Sequence, residues 1–193
     1  MTAAPHIDIA VALPCRRWKR ALPDAAERAG MAARAAFLGA RRRPAYAEIS
    51  LVLADDTTVR ALNRRWRGRD SATNVLSFAS DAPPTPTLPL KGGGSSSRKP
   101  SPLEGEGRVG GAEAPTLLGD VVLAYETIAR EAKEQRKEFA DHFAHLVTHG
   151  VLHLLGFDHV EDAQARRMEA LERRVLAGLG VADPYRVRED VRG

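Results

Sequence analysis

Cysteine is almost missing from this chain. Cys15 is the only one in 193 residues, which excludes an intramolecular disulfide, leaves no thiolate cluster to compete for a metal, and fits a reducing compartment. Long apolar runs are missing too. Ile7 to Leu13 is too short to span a bilayer, is interrupted by Asp8, and lacks the basic region that precedes a signal core. No later stretch is long enough, so a cytoplasmic protein without membrane association is expected. Histidine is scarce as well, six in all, yet His142, His145, His149, His153 and His159 crowd into one short segment.

That segment reads as a metal site. His149 and His153 are four residues apart, so on a helix their imidazoles leave the same face one turn apart. Gly156 ends the helix, because a residue without Cβ takes the left-handed conformation that turns the chain back and brings His159 round. Three neutral imidazoles with a fourth position open to water are the donor set of a catalytic zinc. The spacing H-x3-H-x2-G-x2-H matches the zinc-peptidase motif H-E-x-x-H-x-x-G-x-x-H except at one place: Gly150 stands where the catalytic glutamate belongs. Either another base serves, or the reaction differs.

The remaining chain supports one domain, since 193 residues with 44% hydrophobic side chains can build a substantial core. Alternating apolar residues predict strands at about 6–13, 47–53 and 74–79, and the apolar run at 117–125 a fourth. Helices are predicted at 25–38, from Asp55 or Asp56 to Gly68, at 126–135, at 139–155 and at 162–179. The expected class is α+β, with a zincin-like three-histidine site. Trp66 reads as a core anchor, His142 as a surface residue, and the charges of the last helix as a solvated face. Asn63, Asp70, Thr73, Asn74 and Ser77 suit loop-fixing hydrogen bonds. Between about 82 and 115, proline, glycine and serine offer little to bury, which predicts a disordered insertion within a single domain spanning 1–193.

The net charge of +4 comes with clustered arginines: Arg16, Arg17, Lys19 and Arg20; Arg41 to Arg43; and Arg60, Arg64, Arg65, Arg67 and Arg69. Such groups either hold a phosphate backbone or form solvated surface.

His149 to His159 resembles the signature of the YbeY family of bacterial endoribonucleases. Leu62 to Asp70 with Thr73 to Phe78 is similar to that family's second block, and Leu118-Gly119-Asp120-Val121-Val122 to its central strand; Glu169 to Glu172 and Asp183-Pro184-Tyr185 also agree. The resemblance spans about 45–185 apart from the insertion. It implies a mixed sheet flanked by helices, one Zn2+ per chain held by His149, His153 and His159, and cleavage of single-stranded RNA. It also implies a catalytic and substrate-binding role for Arg67, which suits a phosphate clamp. Expected partners are ribosomal RNA, matured at the 3′ end of the small subunit, with small-subunit ribosomal proteins or an assembly GTPase in ribosome quality control. His145 and Asp158 are candidates for orienting the ligands, His145 also for general base. A zinc peptidase or other metal hydrolase is the rival enzyme reading, which Gly150 disfavours. A non-catalytic ribosome-assembly factor with structural zinc is the rival from another class.

Overall fold

The computed structural model describes residues 4–80, 114–159 and 161–186. Apart from Ala114 and Pro115, the stretch expected to be an insertion lies outside these residues. The described elements are β1 (His6–Ala12), α1 (Arg16–Ala21), α2 (Ala25–Gly39), β2 (Tyr46–Ala54), α3 (Asp56–Arg67), β3 (Val75–Ala79), β4 (Thr116–Ala124), α4 (Tyr125–Glu134), α5 (Phe139–Leu154) and α6 (Asp162–Gly178). Among them, four strands form one mixed sheet in the order β1-β2-β4-β3. β1 and β4 each run parallel to β2, and β3 runs antiparallel to β4 at the edge. The chain is therefore α+β, as the pattern of elements predicts.

Alternation along the strands decides which helix covers which face, since successive side chains point to opposite sides. Ile49, Leu51, Val121 and Leu123 join α2, α5 and α6 in the larger core. Val122, Ala124, Leu76 and Phe78 face the other way and pack with Val59 and Leu62 of α3 in the smaller one. Small residues let α2 lie close to its neighbours: Ala25, Ala29, Ala32, Ala33 and Ala36 are all fully buried. Asp55 caps α3 by accepting the Thr58 N–H at 2.8 Å, which fits its position ahead of the apolar stripe.

Three expectations needed correction. Residues 16–21 form a short helix, although their charges suggested only a basic patch; Trp18 within it is fully buried and donates its indole N–H to the Ala54 carbonyl at 2.8 Å. Trp66 is only half-buried against the smaller core, with the Arg65 guanidinium over its ring. His142 is buried rather than superficial, and Glu131 of α4 faces its imidazole at 3.0 Å.

The fold places α5 with one flank on β3 and β4 and the other against α6. Its C-terminal end, with the histidines, therefore sits between the sheet edge and α6.

Candidate metal centre

The end of α5 follows from local chemistry. Gly156 has φ of 82°, its N–H bonds to the His153 carbonyl, and the Phe157 N–H reaches the Leu152 carbonyl, both at 3.0 Å. This pair of bonds is the Schellman arrangement, which reverses the chain at a left-handed glycine. Asp158 then accepts the main-chain N–H of His159 at 2.7 Å. It shapes the turn instead of holding an imidazole.

The consequence is a cluster. The ring centroids of His149 and His153 are 4.5 Å apart, those of His153 and His159 5.0 Å, and those of His149 and His159 5.7 Å. One ring nitrogen from each lies within 4.8 Å of the others, so the trio could hold a metal ion. Nε2 of His149 and Nε2 of His153 face each other at 3.0 Å, near the about 3.3 Å expected of two nitrogens sharing a tetrahedral zinc. Burial, then the nearby His149 and His159, hold the His153 imidazole below its ordinary pKa. That favours the neutral form a ligand needs.

Behind the trio is a residue that sequence reading assigned to solvent. Glu172 of α6 is fully buried. Its Oε1 lies 2.8 Å from Nδ1 of His149, its Oε2 lies 3.4 Å from Nε2 of His145, and the Tyr185 hydroxyl also donates to it. Burial alone pushes this carboxyl up, but the hydrogen bonds from His145, His149 and Tyr185 together hold its pKa down at about 2. Burial and then Glu172 push the Tyr185 hydroxyl well up, so it stays a donor. The carboxylate fixes Nδ1 of His149 as the protonated nitrogen and leaves Nε2 free to ligate. His145 stands behind the trio, with its side chain 13% exposed against 24% for His149. It supports the carboxylate, as an orienting residue does.

One expected outcome follows directly. Glu172→Gln keeps the shape but removes the charge, and should weaken metal binding by about ten- to a hundredfold, measured by competition with a chromogenic chelator. Unchanged affinity would show that His149 is oriented without the carboxylate. The carboxyl's contribution to stability is fully present above its ordinary value of 4.5 and is lost as pH falls toward about 2.

Arg67 approaches from the opposite face of the sheet. It ends α3 and extends Nη2 toward the Ser77 carbonyl on the edge strand at 3.5 Å, while the Ser77 hydroxyl reaches the Gly150 carbonyl, next to His149, at 3.1 Å. Arg67 is exposed, so its guanidinium is available to an anion. The other polar residues of its block hold the loop: Asn63 donates to the Ser71 carbonyl at 2.8 Å, Asp70 takes Arg60 through both oxygens, and Asn74 donates to Glu131 at 3.0 Å.

A profile of the family described as Endoribonuclease YbeY matches residues 17–180. The chain belongs to this family. It is 51% identical over 184 residues to the endoribonuclease YbeY of Paramagnetospirillum magneticum, covering 93% of this chain and 96% of that one. With that of Azorhizobium caulinodans it shares 48% over 166 residues, covering 86% and 88%. The solution structure of a Thermotoga maritima protein aligns at 18% identity over 93% of this chain and 99% of its own, with a TM-score of 0.46. Among the described residues no helix is long and apolar enough to cross a membrane.

Proposed function

We propose that this protein is a zinc-dependent endoribonuclease that cuts single-stranded RNA, with ribosomal RNA at the 3′ end of the small subunit as its substrate. The observation that carries the chemistry is the convergence of His149, His153 and His159, with His149 locked by the buried Glu172. Family membership supplies the substrate class. We assign one Zn2+ per chain, in a zincin-like arrangement, to a single metal-hydrolase domain. Ribosome quality control, a cytoplasmic location and association with small-subunit proteins or an assembly GTPase belong to the same reading.

His149, His153 and His159 would hold the zinc ion, which would supply Lewis acidity at the phosphodiester. The chain's own residues do the rest. Glu172 holds His149 in the ligating tautomer, and His153 stays neutral because burial and its neighbours disfavour its proton. Arg67 offers a planar fork of donors to the phosphate as charge develops. Gly150 contributes no carboxylate, and Glu172 is committed to imidazoles and a phenol.

The test is cleavage of single-stranded RNA by the purified protein, before and after a chelator, with zinc added back. Cleavage that the chelator stops and zinc restores is the expected result. Activity indifferent to the chelator would remove the metal from the chemistry. Hydrolysis of peptides with no action on RNA would reverse the assignment in favour of a peptidase. RNA binding without cleavage of either substrate would favour an assembly factor with structural zinc.

A further inference from the structure

A second basic site lies against the metal-bearing turn. A groove of about 740 Å³ is bounded by Arg41 and Arg42 from the connection after α2, by Gln164 and Arg167 from α6, and by the segment Leu155 to Asp158. That segment joins His153 to His159, so one side of the groove is the turn that closes the metal centre. Arg41, Arg42 and Arg167 are all exposed, and none pairs with a carboxylate among the described residues. Asp158 is the one acidic side chain in the lining, and it accepts the main-chain N–H of His159.

Three like charges around one concavity repel each other, and against them the lining sets a single carboxylate, Asp158. The cleft beside α3 differs: there Asp70 takes Arg60 through both carboxylate oxygens, at 2.8 and 3.0 Å. An anion entering the groove would relieve the repulsion, and guanidinium groups match phosphate oxygens in geometry. The lining also includes Phe157, half-buried, with its ring anchored against the larger core. An aromatic ring among cations is the combination that holds single-stranded nucleic acid, because every base has a face that stacks and every nucleotide a phosphate.

We propose that this groove is a binding subsite for the sugar-phosphate backbone of single-stranded RNA, separate from the phosphate position served by Arg67. Arg41, Arg42 and Arg167 hold successive phosphates, and Phe157 offers a surface to a base. The inference rests on the RNA-cleaving reading of the metal centre, and adds to it the path of the strand leaving the site.

The experiment uses the full chain loaded with zinc and a fluorescent 2′-O-methyl oligoribonucleotide. Binding is measured by anisotropy across a salt series, alongside cleavage of the unmodified RNA. The variants are Arg41→Ala/Arg42→Ala and the same pair with Arg167→Ala, all exposed positions whose truncation should leave the melting temperature in place. For a single strand each neutralised phosphate contributes about 0.7 to the slope of log affinity against log salt. The triple variant should therefore lose about 2 from that slope and bind at least about tenfold more weakly at low salt, with the double variant in between. An unchanged slope overturns the proposal, whether affinity stays the same or falls through a structural change. Wild-type cleavage combined with an unaffected triple variant sinks the groove and leaves the nuclease standing. A slope that falls by about 2 in a protein that cuts no RNA supports the groove and sinks the nuclease.

Discussion

Gly150→Glu should fail to fold, and should not turn the protein into a peptidase. The substitution restores the zinc-peptidase motif on paper. In the fold, a Cβ at Gly150 would stand 2.7 Å from Cγ1 of Val121, 3.2 Å from Oγ of Ser77 and 3.3 Å from Cγ2 of Val75. These atoms belong to β3 and β4, so position 150 is where α5 meets the sheet. Even alanine must displace the branched Val121 side chain, an overpacking cost of about 1–3 kcal/mol. A glutamate must carry a longer, charged chain out of the same crowded spot, and a carboxylate left buried and unpaired there costs several kcal/mol more. Together these approach the whole stability of a domain, about 5–15 kcal/mol. Thermal unfolding and soluble yield check the result: Gly150→Ala should melt several degrees lower yet retain its metal, whereas Gly150→Glu should be insoluble or unfolded. A soluble glutamate variant melting like the wild type would show that α5 sits less tightly on the sheet than the distances indicate.

The same residue shows how far the sequence could be read. The absence of the glutamate was visible at once, but its cause was not. Spacing along one helix says which residues share a face, and the contact that excludes a side chain lies in strands far away in sequence. The turn at Gly156 was legible because its hydrogen bonds run between residues three to five apart. Glu172 was misread for the opposite reason. On α6 it stands among arginines and glutamates, and only the packing of α6 on α5 reveals that it faces histidines instead of water. His142 was misread likewise, since its partner Glu131 comes from another helix. The helix at 16–21 is too short for a periodic signal, and four of its six residues are charged; the indole of Trp18 holds it down through tertiary contacts that no local window contains. Arg67 was singled out only by resemblance, and the hydrogen bonds that lead from it toward α5 run round the edge strand through Ser77.

His153→Ala should separate the stability of the fold from the function of the site. The imidazole is partly buried among two others, and its pKa lies below the ordinary value because of burial first and the charges of His149 and His159 second. A depressed histidine pKa means that the unfolded chain takes the proton more readily than the folded one. Stability is therefore whole above the ordinary value near 6.5 and is lost as pH falls toward the folded value. Alanine removes that liability. Without metal, the variant should lose less melting temperature than the wild type between pH 7.5 and pH 5. With metal the order reverses: ligand in hundredfold excess over its dissociation constant stabilises the folded state by about 2.7 kcal/mol, and a chain missing one of three donors forfeits most of that gain. RNA cleavage should fall by about a hundredfold or more, equivalent to at least about 3 kcal/mol of transition-state stabilisation. Melting curves at the two pH values, with and without zinc, read the first two effects, and single-turnover cleavage reads the third. If zinc stabilised wild type and variant equally, the ion would sit elsewhere, and the three-histidine centre would lose its claim to it.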